Sequence, residues 1–209
     1  MKKNISIKIL LLIAFFTLAS SARIDAQSAP AVLKKAAQKL RTASGVSCDF
    51  SIRQDQGNMS GTLKAKGSKF AITTPAASTW YDGKTMWTAN ARTKETTVTT
   101  PTASEICETN PLSYINGYES QYRIGFSRRK EKGKYLVVLN PKQKNTGIRG
   151  VEIDLDAKTL LPVHIYIRTQ SGQLTSVAVK NVRTGSALAE STFTYPASKM
   201  SGYEVVDLR

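Results

Sequence analysis

The stretch Trp80-Tyr81-Asp82-Gly83-Lys84-Thr85-Met86-Trp87 constrains the fold of this chain more than any other. An Asp-Gly pair between aromatic, β-favouring residues is a strong short-range hairpin signal. A two-residue loop at Asp82-Gly83 pairs Tyr81 with Lys84 and Trp80 with Thr85, and alternate positions of a ribbon share a face. Trp80 and Trp87 are therefore expected on one surface, which is either an ordinary core or the wall of something larger.

Period-two alternation continues on both sides of this hairpin. Val46, Cys48, Phe50 and Ile52 alternate with Ser47, Asp49, Ser51 and Arg53. After a turn over 54–58 come Met59, Leu63 and Ala65, then a short strand over 70–73. Beyond the hairpin, a turn at 90–95 leads to a strand over 96–100. Later, Tyr122, Ile124 and Phe126 alternate with Arg123 and Ser127, and Tyr135 to Leu139 is a denser apolar run. Val151, Ile153 and Leu155 alternate with Glu152, Asp154 and Asp156, and Leu161, Val163, Ile165 and Ile167 follow. A long strand over 174–183 and a terminal segment with Phe193-Thr194 and Val205-Val206-Asp207 close the chain. Two regions depart from this period. Val32, Leu33, Ala36, Ala37 and Leu40 recur at helical spacing behind Ser28 and Pro30. Segments 102–108 and 111–118 read as short helical turns carrying Ile106, Leu112, Tyr114 and Ile115.

About ten strands with one dry face make an antiparallel sheet whose apolar side must be covered. The expected fold is mainly β with an α lid: a curved antiparallel sheet forming an unclosed barrel, covered by the N-terminal helix and the short central helices. A length of 209 residues with 41% hydrophobic and 22% charged residues suits one such domain, over 27–209.

Residues 1–26 read as a cleavable signal. Lys2 and Lys3 precede an apolar run from Ile9 to Leu18 and small residues up to Ala22. Cleavage after Ala22 or Ala26 is compatible with this pattern, and Ala26 is preferred. That cut removes Lys2, Lys3, Lys8, Arg23 and Asp25, leaving 26 basic and 14 acidic residues, a net charge of +12. An exported chain with this balance meets anionic headgroups and acidic protein surfaces rather than nucleic acid, so transient membrane-surface contact is expected. Arg128-Arg129-Lys130 is either a solvated turn or a docking patch.

Chemistry-bearing constellations are sparse. The single histidine, His164, falls on the polar side of its strand, and no metal-ligand spacing, nucleophile elbow or phosphate-binding glycine loop occurs. Asp154 and Asp156 are read as solvent-facing. No catalysis, metal or cofactor is expected. Cys48 on the dry face and Cys107 in the central helical region are either a disulfide, worth ~4 kcal/mol for a loop of this size, or two buried thiols.

The element order resembles that of the outer-membrane lipoprotein carriers, the LolA-like family. Four strings carry the resemblance: Phe50-Ser51-Ile52-Arg53-Gln54, Gly61-Thr62-Leu63, Tyr81-Asp82-Gly83-Lys84-Thr85-Met86-Trp87, and Ser191-Thr192-Phe193-Thr194-Tyr195-Pro196. It implies a monomeric periplasmic protein that shields lipoprotein acyl chains in an apolar hollow. It also implies an inner-membrane LolCDE-type ABC exporter and an outer-membrane acceptor as partners. A lipid- or lipoprotein-sensing module of the same fold, acting through a protein partner, is the alternative. The expected hollow is lined by Phe50, Ile52, Leu63, Phe70, Ile72, Trp80, Trp87, Tyr122, Ile124 and Phe126, with Leu112, Tyr114 and Ile115 in the lid. Where the family commonly carries a lid-holding Arg-Pro, this chain has Gly67 and Ser68 between Lys66 and Lys69.

Overall fold

The structure, a computed structural model, describes residues 27–55, 57–115, 121–143 and 147–209. The signal-like segment and the end of the second helical turn, 116–118, lie outside the described residues.

Helix α1 (Ala29–Thr42) begins where the Ser28 hydroxyl accepts from the Ala31 amide, with proline in its first turn. Six strands follow as a meander: β1 (Val46–Gln54), β2 (Gly57–Lys66), β3 (Lys69–Thr73), β4 (Ala77–Tyr81), β5 (Met86–Asn90) and β6 (Glu95–Thr99). The sheet is then interrupted by α2 (Ala103–Thr109) and a 3-10 turn, Pro111–Ile115. It resumes with β7 (Tyr122–Phe126), β8 (Lys134–Pro141), β9 (Ile148–Asp156), β10 (Pro162–Thr169) and β11 (Leu174–Thr184), and ends with β12 (Glu204–Asp207).

These strands form one open sheet in the order β12-β6-β5-β4-β3-β2-β1-β11-β10-β9-β8-β7. The two ends do not meet, so the barrel is unclosed, as the alternation predicts. The all-antiparallel expectation needs one correction: β12 pairs with β6 in parallel. The chain between β11 and β12 crosses the sheet as a strap, and such a crossover permits a parallel approach.

Register fixes what each face carries. Phe50 stands opposite Gly61 and Val179, Ile52 opposite Val177, Leu63 opposite Ile72, and Phe70 opposite Tyr81. Directly paired residues share a face, so these side chains form one concave apolar surface. It continues through Ile165, Ile153 and Val137 to Phe126 and Ile124. Gly61 is required within it, because a Cβ there would lie 2.3 Å from the Thr73 carbonyl and 2.8 Å from the Phe50 ring. Helix α1 packs over β7 and β8 and against the Pro111–Ile115 turn, burying Val32, Leu33, Ala36 and Ala37.

The central hairpin has a different register from the one expected. Tyr81 pairs with Met86 and Trp80 with Trp87, making a four-residue loop. The Asp82 carboxylate closes that loop by accepting from the Lys84 and Thr85 amides, both at 2.8 Å. Gly83 takes φ +102, and the Tyr81 hydroxyl donates to its carbonyl at 2.9 Å. The tryptophans do share a face, but it is the outer one, opposite Phe70, Ile72 and Tyr81.

On that outer face the strap builds a second apolar cluster. Its 3-10 turn, Glu190–Phe193, lies on β3 and β4 and buries Phe193 completely. Tyr195 meets Trp80 edge-on at 5.7 Å, and the Thr96 hydroxyl donates to the Tyr195 hydroxyl at 3.3 Å.

Asp154 is the other correction of facing. It is 1% exposed, because Arg129 reaches over from the β7–β8 turn to bond both Asp154 and Glu152. Burial raises its carboxyl pKa, and the Arg129 charge pulls the other way. Asp156 instead closes the β9–β10 turn, accepting from the Lys158 amide and from the Thr159 amide and hydroxyl.

Candidate functional site: an apolar hollow beneath a helical lid

The lid stands where the sheet needs covering, and its local sequence explains its shape. Thr102 and Glu105 form a capping box: Thr102 Oγ1 accepts from the Glu105 amide, and Glu105 Oε2 accepts from the Thr102 amide at 2.7 Å. Asn110 ends α2, its amide donating to Ile106, and its side-chain oxygen accepts from the Leu112 amide at 3.1 Å to start the next turn. That turn buries Leu112, Tyr114 and Ile115, the three side chains expected in the lid.

Between this lid and the concave face lies a small, partly open hollow of about 50 Å3. Cys48, Phe50, Ile52, Leu63, Ile72 and Val179 are among its walls, and Thr109, Pro111 and Leu112 form its roof. A space of this size holds a few water molecules at most, and apolar walls favour leaving it dry. A second opening of about 210 Å3 lies at the rim, where Gly67, Ser68 and Lys69 face Ile106, Leu112 and Ser113 of the lid. The departure from the family's Arg-Pro pattern therefore borders a cleft leading under the lid. Lys66 and Lys69 hold the strap rather than the lid, with Lys66 Nζ 2.9 Å from Glu190 Oε1 and Lys69 Nζ 2.5 Å from Glu190 Oε2. Together they push the Glu190 carboxyl down to about 2.

Of the residues expected to line a hollow, Phe50, Ile52, Leu63 and Ile72 do so, and Phe70 lies beside them on the same face. Tyr122 and Ile124 sit on the concave face further along, at β7, with Phe126 at its mouth, 45% exposed and stacked on Tyr135. Trp80 and Trp87 lie outside the hollow, on the outer face, with Trp80 against Tyr195 of the strap. The sequence reading missed Val177 and Val179, which β11 brings to the wall beside β1. Their alternation is visible in the sequence, but the pairing of β1 with β11 across more than a hundred residues is not.

Cys48 and Cys107 are not joined; each is a buried thiol. Cys48 points from the sheet toward Leu63 and the hollow, whereas Cys107 sits on the side of α2 near Tyr114 and Tyr122. Burial pushes the Cys48 thiol up to about 12, which keeps it protonated and unreactive.

Residues 18–173 match the family described as outer membrane lipoprotein carrier protein LolA. Among solved structures, an uncharacterized conserved protein of Thermus thermophilus superposes with a TM-score of 0.58 at 12% identity, over 84% of this chain and 96% of that one. A LolA superfamily protein of Nitrosomonas europaea gives a TM-score of 0.46 at 12% identity, over 81% of this chain and 99% of that one. The MucA/MucB complex of Pseudomonas aeruginosa gives 0.43 at 14%, over 81% of this chain and 61% of that one. A search of curated proteins finds no match. With the family match spanning most of the chain and the open lidded sheet described above, the chain belongs to the outer membrane lipoprotein carrier protein LolA family.

Proposed function

We propose that this protein is a periplasmic carrier that takes lipoprotein acyl chains into the hollow beneath its lid and moves them from the inner to the outer membrane without catalysis. The observation that carries this reading is the hollow itself: a concave sheet face apolar across β1, β2, β3 and β11, closed by a short helical lid rather than by another sheet. Each CH2 withdrawn from water contributes about 0.8 kcal/mol, so an acyl chain gains most where walls are apolar and polar groups are satisfied elsewhere. At about 50 Å3 the hollow is too small for such a chain, so loading requires the α2 and Pro111–Ile115 lid to swing away. Asn110, between the two helical pieces, is the natural pivot, and the cleft at Gly67-Ser68 is where the chain enters. An inner-membrane ABC exporter as donor and an outer-membrane acceptor complete the route.

Mass spectrometry of lipid extracted from freshly purified protein tests the hollow, with acyl species expected at near-stoichiometric amounts. Fractionation of the membranes after gene deletion tests the transport role, with lipoproteins expected to accumulate in the inner membrane. An empty protein together with an unchanged lipoprotein distribution would overturn the proposal.

A further inference from the structure

The outer face of β8, β9 and β10, turned away from the hollow, carries a groove of about 460 Å3. Its recess is made by Gly150, which stands opposite Arg168. A Cβ at Gly150 would make only ordinary contacts, 3.6 Å from the Leu139 carbonyl and 3.8 Å from the Asn140 side-chain oxygen. Packing therefore does not demand glycine there, and its effect is to leave the floor open.

Beside it the register of β9 against β10 slips by one residue: Arg168 pairs with Gly150 and Thr169 with Ile148, passing over Arg149. Unbroken alternation would put Arg149 on the concave face with Val151 and Ile153. A bulge bends the strand and re-aims the side chain, and Arg149 lines the outer groove with Arg168. Neither guanidinium has a carboxylate partner among the described residues, since Arg129 engages Glu152 at 2.7 Å and Asp154 at 3.3 Å. Apolar contact is offered by Val138 and by Leu174, the latter 36% exposed.

We propose that this groove binds an extended acidic segment of a protein partner, Arg149 and Arg168 holding its carboxylates and Leu174 and Val138 an aliphatic side chain. Planar guanidiniums match carboxylates through paired hydrogen bonds. A recess is poorly shaped for a flat bilayer. The net charge of +12 left after the expected signal cleavage favours an acidic partner generally, and the groove gives that attraction a place.

The test is fluorescence anisotropy with the whole protein and a labelled octapeptide of alternating glutamate and leucine. Binding is expected to weaken with salt. Arg149→Ala and Arg168→Ala are each expected to weaken it roughly tenfold. Gly150→Val fills the floor without changing charge and is expected to weaken binding too, while Lys84→Ala at the β4–β5 tip leaves it unchanged. Unaltered thermal midpoints establish that the variants are folded. The proposal is overturned if the glutamine counterpart of the peptide binds equally, or if Arg149→Ala and Gly150→Val both bind as wild type. It is also overturned if myristate displaces the peptide, which would place the peptide in the hollow, or if phosphatidylglycerol vesicles bind where the peptide does not. Failure of acyl binding in the hollow would leave this result untouched, because the two sites occupy opposite faces.

Discussion

Truncating Leu63 to alanine separates a hollow built for a ligand from an ordinary core. Leu63 is 3% exposed and stands between Cys48 and Ile72 in the wall. Buried Leu→Ala changes cost about 2–5 kcal/mol, with a cavity contribution near 24 cal/mol per Å3. At that rate the existing 50 Å3 already costs the empty protein about 1 kcal/mol. The new vacancy merges with this hollow, and the paired strands on either side cannot collapse into it. A loss of about 3–5 kcal/mol is expected, in the upper part of the range, lowering the midpoint by roughly 10 °C in a domain of this size. A ligand that fills the space returns about 2.7 kcal/mol at a hundredfold excess over its dissociation constant. Differential scanning fluorimetry with and without myristate reads both effects. Myristate should raise the midpoint of Leu63→Ala more than that of wild type. Trp80→Ala, on the outer face, should be destabilised with no gain in the myristate shift. If Leu63→Ala falls by less than about 2 °C, or if myristate shifts all three proteins equally, the assignment of this wall is wrong.

Three further outcomes follow from particular contacts. Arg129→Ala strands the buried Asp154 carboxylate, so urea unfolding at neutral pH should show a loss of about 1–3 kcal/mol that shrinks as acid protonates Asp154. Thr102→Ala removes the capping box and should destabilise α2 by about 1 kcal/mol, read as faster amide exchange confined to the lid. Glu190 has a folded-state pKa below its ordinary value, so its tie to Lys66 and Lys69 contributes fully above about pH 4.5 and is lost as pH falls toward about 2; limited proteolysis should show the strap opening across that window, and Glu190→Gln should abolish the pH dependence.

Much of the fold was legible from local pattern. The period-two runs at Val46–Ile52, Tyr122–Phe126 and Val151–Leu155 all became strands with the dry face inward, because one-sided burial leaves alternation as its imprint. The Ser28 cap was readable from an equally local signal. The site was less legible. The concave wall at Phe50, Ile52, Leu63 and Ile72 followed from alternation, while Val177 and Val179 joined it through a pairing no local signal encodes.

What the sequence by itself determined, then, is the period of each segment, the residues that cap the helices, and an apolar set large enough to need a cover. What only the tertiary structure decided is which side each set faces. Asp82 holds a four-residue loop instead of a two-residue one, and the strap carrying Phe193 and Tyr195 gives the outer face a core of its own, so Trp80 and Trp87 sit half-buried on that face without entering the hollow. One slipped residue turned Arg149 outward in the same way. Facing depends on register and on what packs from a distance, and a chain with side chains alternating every second residue leaves both to contacts made only when the sheet assembles.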